Sequence, residues 1–203
     1  MLLLIAILLI GVLLGYGLGG SLRAVAEARV GWWWLVPAAL LLQALPVPRG
    51  QTGVGSLLPV AALLTSYVLL ILVVLMNWRL RGFMLVLVGL ILNFTVIGMN
   101  HGMPVSAEAV SRAGKPELIE NLPRERGAKH HLADERDVLL PLADVVAFRP
   151  PFGVVTSVGD LAIYAGGAMF LAAAMLGRSE RGSRRARSHP QPAPQAVMWG
   201  TRR

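Results

Sequence analysis

Six polar side chains stand out because they sit in or beside stretches with almost no other means of doing chemistry: Asn93, Asn100, His131, Asp144, Ser157 and Asp160. Asn93 and Asn100 are seven residues apart, and Asp160 and Tyr164 four, so on helices each pair shares a face. A carboxylate inside an apolar span costs about 2.5–3.5 kcal/mol at the bilayer centre and less near an interface, so Asp160 requires a partner. If its helix starts near Val154, Asp160 lies roughly 9 Å deep, and Asn93 lies roughly 10 Å below a helix end at Asn100, at ~1.5 Å per residue. With Gln43, these groups form one polar layer under one lip of a helical insert. Two readings stay open. In the first, Ser157 and Asp160 cap the last span and Asn93 ties two helices together. In the second, Asn93 and Asp160 form the floor of a ligand pocket whose lid carries His101, His131 and Asp144.

A metal centre is a sharper variant. His130, His131, Asp134 and Asp137 offer nitrogen and oxygen ligands at helical spacings. No HExxH or cysteine pattern accompanies them, and the surroundings are highly charged, so a solvated surface is the preferred reading. No metal and no cofactor are expected. The chain has no cysteine, which excludes disulfide and thiolate chemistry. There is no GxSxG elbow, Walker A loop or dinucleotide fingerprint, and Ser157 has no identifiable base.

The elements that must position these groups follow from composition. Of 203 residues, 55% are hydrophobic and only 15% charged, with a mean hydropathy of +0.63. A soluble domain carries about 25% charged residues. The apolar runs predict an all-α integral membrane bundle of five spans, at residues 2–18, 30–48, 56–76, 83–99 and 154–176, within a membrane domain 1–176. Residues 100–153 form one long loop, and 177–203 a basic, disordered tail poor in apolar residues. Trp32, Trp33, Trp34 and Trp78 read as interface anchors. Arg23 and Arg29, Arg79 and Arg81, and the Arg-rich tail alternate with the spans so as to share one side. The positive-inside rule then puts the N-terminus and the long loop outside the cytoplasm and the C-terminus inside, in the cytoplasmic membrane. The net charge of +8 thus reads as topology and attraction to anionic lipid, with no nucleic-acid role. Ala24-Val25-Ala26 resembles a signal-peptide cleavage site, but the first span lacks a basic leader and is long, so it is read as a span. Gly11, Gly15 and Gly19 line one face of it. They suit close helix packing within the bundle, or docking of a partner subunit or second copy.

In the loop, Ser106 reads as an N-cap with Glu108 in the first turn, and Gly114 ends a short helix. Lys115 to Leu122 suggests a further turn. Residues 139–148, apolar except for Asp144, are too short to span and suit an interfacial or re-entrant segment.

Several of these residues carry a resemblance. Asn93 and Asn100, then Gly102-Met103-Pro104-Val105-Ser106, then Leu142-Ala143-Asp144, and Ser157-Val158-Gly159-Asp160 occur in the order seen in the DUF5317 family of small bacterial polytopic membrane proteins. The likeness covers most of residues 1–176, and His101 departs from it. It implies the fold and membrane location and supplies no reaction. The leading expectation is a ligand-binding or accessory membrane component with a polar pocket near the outer face. A membrane-embedded enzyme acting on a lipid or prenyl substrate is the alternative. A small transporter comes third, since one polar layer and no visible inverted repeat argue against transport.

Overall fold

A computed structural model of the chain describes residues 2–45, 54–123 and 129–188. Among the described residues the α-helices are α1 (Leu2–Gly17), α2 (Leu22–Ala26), α3 (Leu35–Ala44), α4 (Val54–Met76), α5 (Phe83–Asn100), α6 (Ala107–Arg112) and α7 (Val158–Ser188). The five longest stand side by side in the order α1, α7, α5, α4, α3, each packed on the next. Helices in a single row bury little of themselves. Ile5, Leu9, Leu13, Leu41, Leu72 and Ile91 are among many large apolar side chains left exposed. A soluble monomer rarely tolerates so much contiguous apolar surface. Three helices, over Leu58–Met76, Phe83–Asn100 and Val158–Gly177, are long and apolar enough to cross a membrane. The first and second expected spans are apolar but shorter, α1 with 16 residues and α3 with 10. That is about 24 and 15 Å at ~1.5 Å per residue, against a hydrocarbon core of roughly 30 Å. The far end of the second expected span, residues 46–48, lies outside the described residues.

Small residues set the closest approaches. On α5 and just before it, Gly89 meets Gly159 and Gly82 meets Gly166, so α5 and α7 run antiparallel. A Cβ on any of these four would collide with backbone or side-chain atoms opposite. Gly11 lies against Ala168 and Gly15 against Met175, so α1 runs parallel to α7. This face of α1, considered above for docking a second chain, is therefore occupied within the protomer at Gly11 and Gly15, while Gly19 meets nothing. Asn77 at the end of α4 exchanges hydrogen bonds with the backbone of Gly31, donating to its carbonyl (2.8 Å) and accepting from its N–H (2.7 Å). That pins the start of the α3 arm to the end of α4. The start of α1 and α7 and the end of α3 and α5 consequently share one end of the row.

At that end residues 101–123 and 129–157 form a cap, and here the all-α expectation needs correction. Among the described residues the cap holds four short strands: β1 (Met103–Val105), β2 (His130–Leu132), β3 (Val146–Phe148) and β4 (Val154–Thr156). β1 pairs parallel with β2, and β3 antiparallel with β4. Asp144 adds a parallel bridge to the other edge of β1 at Val105. Three-residue strands leave no hydrophobic alternation to read, which is why only helices and turns were expected. The short helix α6 forms as anticipated, with the Ser106 hydroxyl accepting from the Ala109 N–H at 3.2 Å. The cap is fastened to the row by an apolar cluster of Met103 and Ala143 with Val60, Leu63, Val96 and Ile97. Lys129 also places its ammonium on the carbonyls of Gln43 and Leu45, at the negative end of α3.

α7 begins at Val158, not Val154, because residues 154–156 are held as a strand on β3. Asp160 is therefore in the first turn, shallower than the count from Val154 suggested. At its other end α7 continues to Ser188, past the expected limit at Leu176. The rest of the tail, 189–203, lies outside the described residues.

Candidate functional site

The first turn of α7 is built by the sequence Ser157-Val158-Gly159-Asp160 as a reciprocal cap. The Asp160 N–H donates to Ser157 Oγ at 2.9 Å, and the Ser157 N–H donates back to Asp160 Oδ2 at 3.4 Å. This is the capping-box logic, with Asp in the acidic position. Because Gly159 has no side chain, Asn93 of α5 comes close enough to join. Asn93 Nδ2 donates to Asp160 Oδ1 at 2.7 Å and to the Tyr67 hydroxyl at 3.4 Å, and Ser157 Oγ donates to Asn93 Oδ1 at 2.9 Å. Thr156 Oγ1 adds a bond to Asp160 Oδ2 at 3.0 Å. Each side-chain polar atom of Asn93, Ser157 and Asp160 is thus satisfied inside one group joining α4, α5 and α7. Asn93 and Ser157 are fully buried. A group so interlinked stabilises the helix row.

The open space lies above it, in the cap. A cavity of about 360 Å³ is bounded by Val105, Val110, Leu118, Leu122, Val154 and Val155. The polar residues of its lining are Asp144, His130, Lys115 and Asn121. His130 Nε2 stands 3.8 Å from Asp144 Oδ2, with the His130 side chain 56% exposed and that of Asp144 only 10%. Asp144 is locked in place through its backbone: its N–H donates to Pro104 O and its carbonyl accepts from the Ser106 N–H. Burial, and secondarily the nearby Asp160 carboxylate, push its carboxyl up to about 8. At neutral pH Asp144 is mostly a neutral acid, able to donate a hydrogen bond into an apolar space.

The six residues anticipated as ligand contacts therefore divide. Asn93, Ser157 and Asp160 meet one another. Asn100 is fully buried and serves the backbone: its side chain donates to Val96 O and Val138 O, both at 2.9 Å, and accepts from the Val138 N–H at 2.8 Å. His131 faces away from the cavity, fully buried, with Nε2 at 3.1 Å from Asp137 Oδ1. Its Nδ1 has no hydrogen-bond partner. Asp144 alone of the six lines the cavity. His101 is exposed at the end of α5 with φ of 55° and does not line the cavity either. Gln43 donates to Ser66 Oγ at 3.0 Å, within the α3–α4 contact.

His130, which the sequence singles out only as a candidate metal ligand, is the histidine that lines the cavity. In a strand, successive side chains point to opposite faces. Within β2 one histidine turns to Asp137 and the other to Asp144. Two adjacent histidines in a charged stretch give no sign of which faces where. That alternation parts His130 from His131; of the other candidate metal ligands Asp137 meets His131 and Asp134 takes Arg136 at 2.8 Å, and among the described residues no three such groups form a metal-holding cluster.

None of the curated proteins and none of the solved structures matches this chain. A family model does. It covers residues 27–172, which includes α3, α4, α5, the whole cap and the apolar part of α7 as far as Ala172. The polar group around Asp160 and the cap cavity both fall inside the matched region. The chain belongs to DUF5317, a family of unknown function.

Proposed function

We propose that this is a membrane-embedded binding protein whose cap cavity takes up an amphiphile with an apolar body and a hydrogen-bonding head. The observation that carries this reading is the Asp144–His130 pair, 3.8 Å apart on the wall of a mainly apolar cavity. A small number of convergent polar groups in an apolar enclosure is the usual composition of a small-molecule site. Lys115 at the edge favours a head that carries negative charge or accepts hydrogen bonds. The buried group of Asn93, Ser157 and Asp160 then acts as a foundation that holds α5 and α7 beneath the cavity.

In this reading the chain makes five passes through the cytoplasmic membrane, with the N-terminus and cap outside and the C-terminus inside. The alternating directions of α1, α3, α4, α5 and α7 support that path, and the arginines at the end opposite the cap support its orientation. The membrane domain is 1–176, and the residues beyond it form a basic cytoplasmic extension.

The test is native mass spectrometry of gently extracted full-length protein. A bound small amphiphile should accompany the wild type and be lost in Leu118→Trp, which fills the cavity from an exposed position, and in Asp144→Ala. The same adducts in all three proteins, or none in the wild type, would refute the reading. An enzyme acting on a lipid or prenyl substrate would use the same pair as acid and base, which the raised Asp144 carboxyl favours. It predicts that Asp144→Asn keeps the bound molecule and stops its conversion.

A further inference from the structure

A second, larger cavity lies at the end of the row remote from the cap. It measures about 640 Å³ and is bounded by three stretches of chain: Glu27 to Arg29 after α2, Arg79 to Arg81 between α4 and α5, and the Phe170-to-Gly177 face of α7. Gly177 is 17 residues beyond Asp160 on α7, about 26 Å along the helix. That distance approaches the roughly 30 Å thickness of a hydrocarbon core. The cleft is therefore at the opposite interface from the cap.

Its level in the bilayer is marked independently by tryptophan. The Asn77–Gly31 hydrogen bonds hold Trp32, Trp33 and Trp34 near the end of α4, where Trp78 also lies. All four indoles are exposed, at 49, 65, 59 and 55%. Exposed indoles collect at the headgroup layer. The guanidinium of Arg79 lies 5.3 Å from the centroid of the Trp78 ring, which holds a cation at that depth. Arg29, Arg79 and Arg81 line the cleft against one acidic residue, Glu27; Glu27 and Arg81 each already take part in an interaction of their own. Arg29 and Arg79 thus give the cleft its excess of positive charge. On the α7 side the wall is Phe170, Ala173, Ala174 and Leu176, apolar and shallow enough for an acyl chain to lie along it.

We propose that this cleft binds an anionic phospholipid, its phosphate between Arg29 and Arg79 and its first acyl carbons along Ala173 and Ala174. Guanidinium groups suit phosphate because their donors form a planar fork matching its oxygens. A basic cavity between helices at a membrane interface is the arrangement that selects anionic headgroups. The occupant is a lipid, not a soluble anion, because half of the wall is hydrocarbon and the cleft sits within the indole layer.

The test uses delipidated full-length protein in mixed micelles containing phosphatidylglycerol or phosphatidylcholine, with bound lipid counted by native mass spectrometry. The wild type should retain phosphatidylglycerol about 10-fold more strongly than phosphatidylcholine. The double variant Arg29→Gln/Arg79→Gln should lose that preference, Arg29→Lys/Arg79→Lys should keep part of it, and Glu27→Gln should raise it. Ala173→Phe should obstruct the acyl wall and weaken retention with every charge left in place. Replacing Arg181, Arg184, Arg185 and Arg187 together by Gln should leave the preference intact. Equal retention of the two lipids, or an unchanged preference in the Arg29/Arg79 variant, overturns the proposal. Loss of preference only in the tail variant overturns it by moving the contact to the tail. Displacement of the lipid by excess inorganic phosphate overturns it in favour of a free-anion site.

Discussion

Replacing Asp144 by Asn should abolish a pH dependence that the cap otherwise shows. The carboxyl titrates near 3.8 when exposed and near 8 in the folded cap, because it is buried and faces Asp160. The folded state therefore binds a proton that the opened state gives up. The sign follows: this group's contribution is fully present below pH ~4 and is lost as pH rises through ~8. Between those limits cap stability falls by about 1.4 kcal/mol per pH unit, the slope of a single proton difference. The slope depends on one proton, not on the exact end points. Other titratable groups face Asp144: His130 on β2, Lys115 at the cavity edge, Tyr67 on α4, and Tyr164 and Asp160 on α7. These remain in the variant, so the difference between the two proteins isolates Asp144. The assay is amide hydrogen exchange at Ser106 and Asp144, whose N–H groups bond to Asp144 O and Pro104 O. Relative to Asp144→Asn, protection in the wild type should decline with pH beyond the intrinsic chemistry. Parallel profiles in the two proteins would refute the burial argument, as would a wild type whose protection rises with pH.

Three further outcomes follow from the same contacts. Gly89→Ala should lower thermal stability in detergent by about 1–3 kcal/mol, because its methyl meets the Gly159 carbonyl; Gly98→Ala, with only Leu64 4.0 Å away, should not. Asn100→Ala strands the N–H and C=O of Val138, costing about 1–3 kcal/mol for each group left unpaired, and should show first as rapid exchange of the Val138 amide. Asn93→Ala and Asp160→Ala should each destabilise the helix row by roughly 2–4 kcal/mol and, made together, fall well short of additive. Additive losses would mean the two residues serve different neighbours.

Local information was enough for much of this protein. The long apolar runs announce α4, α5 and α7 because a helix satisfies its own backbone in lipid, whatever its neighbours are. Ser106 and the Ser157–Asp160 spacing announce helix starts, since a cap closes within four residues. The requirement that Asp160 have a partner also follows from the cost of a lone charge in an apolar span. What the sequence could not supply is orientation between distant segments. Asn93 and Asp160 are 67 residues apart, and Asn100 and Val138 38 apart. Only the glycine-lined crossing of α5 and α7 decides that the first pair meets. The cap strands gain their hydrogen bonds from remote partners and have no periodicity of their own at three residues each. A single residue's shift in strand register exchanges His130 for His131 in the cavity. Hydrogen bonds reach about 3 Å and depend on angle, so which polar residues line open space, and which only hold the frame together, was settled by tertiary packing.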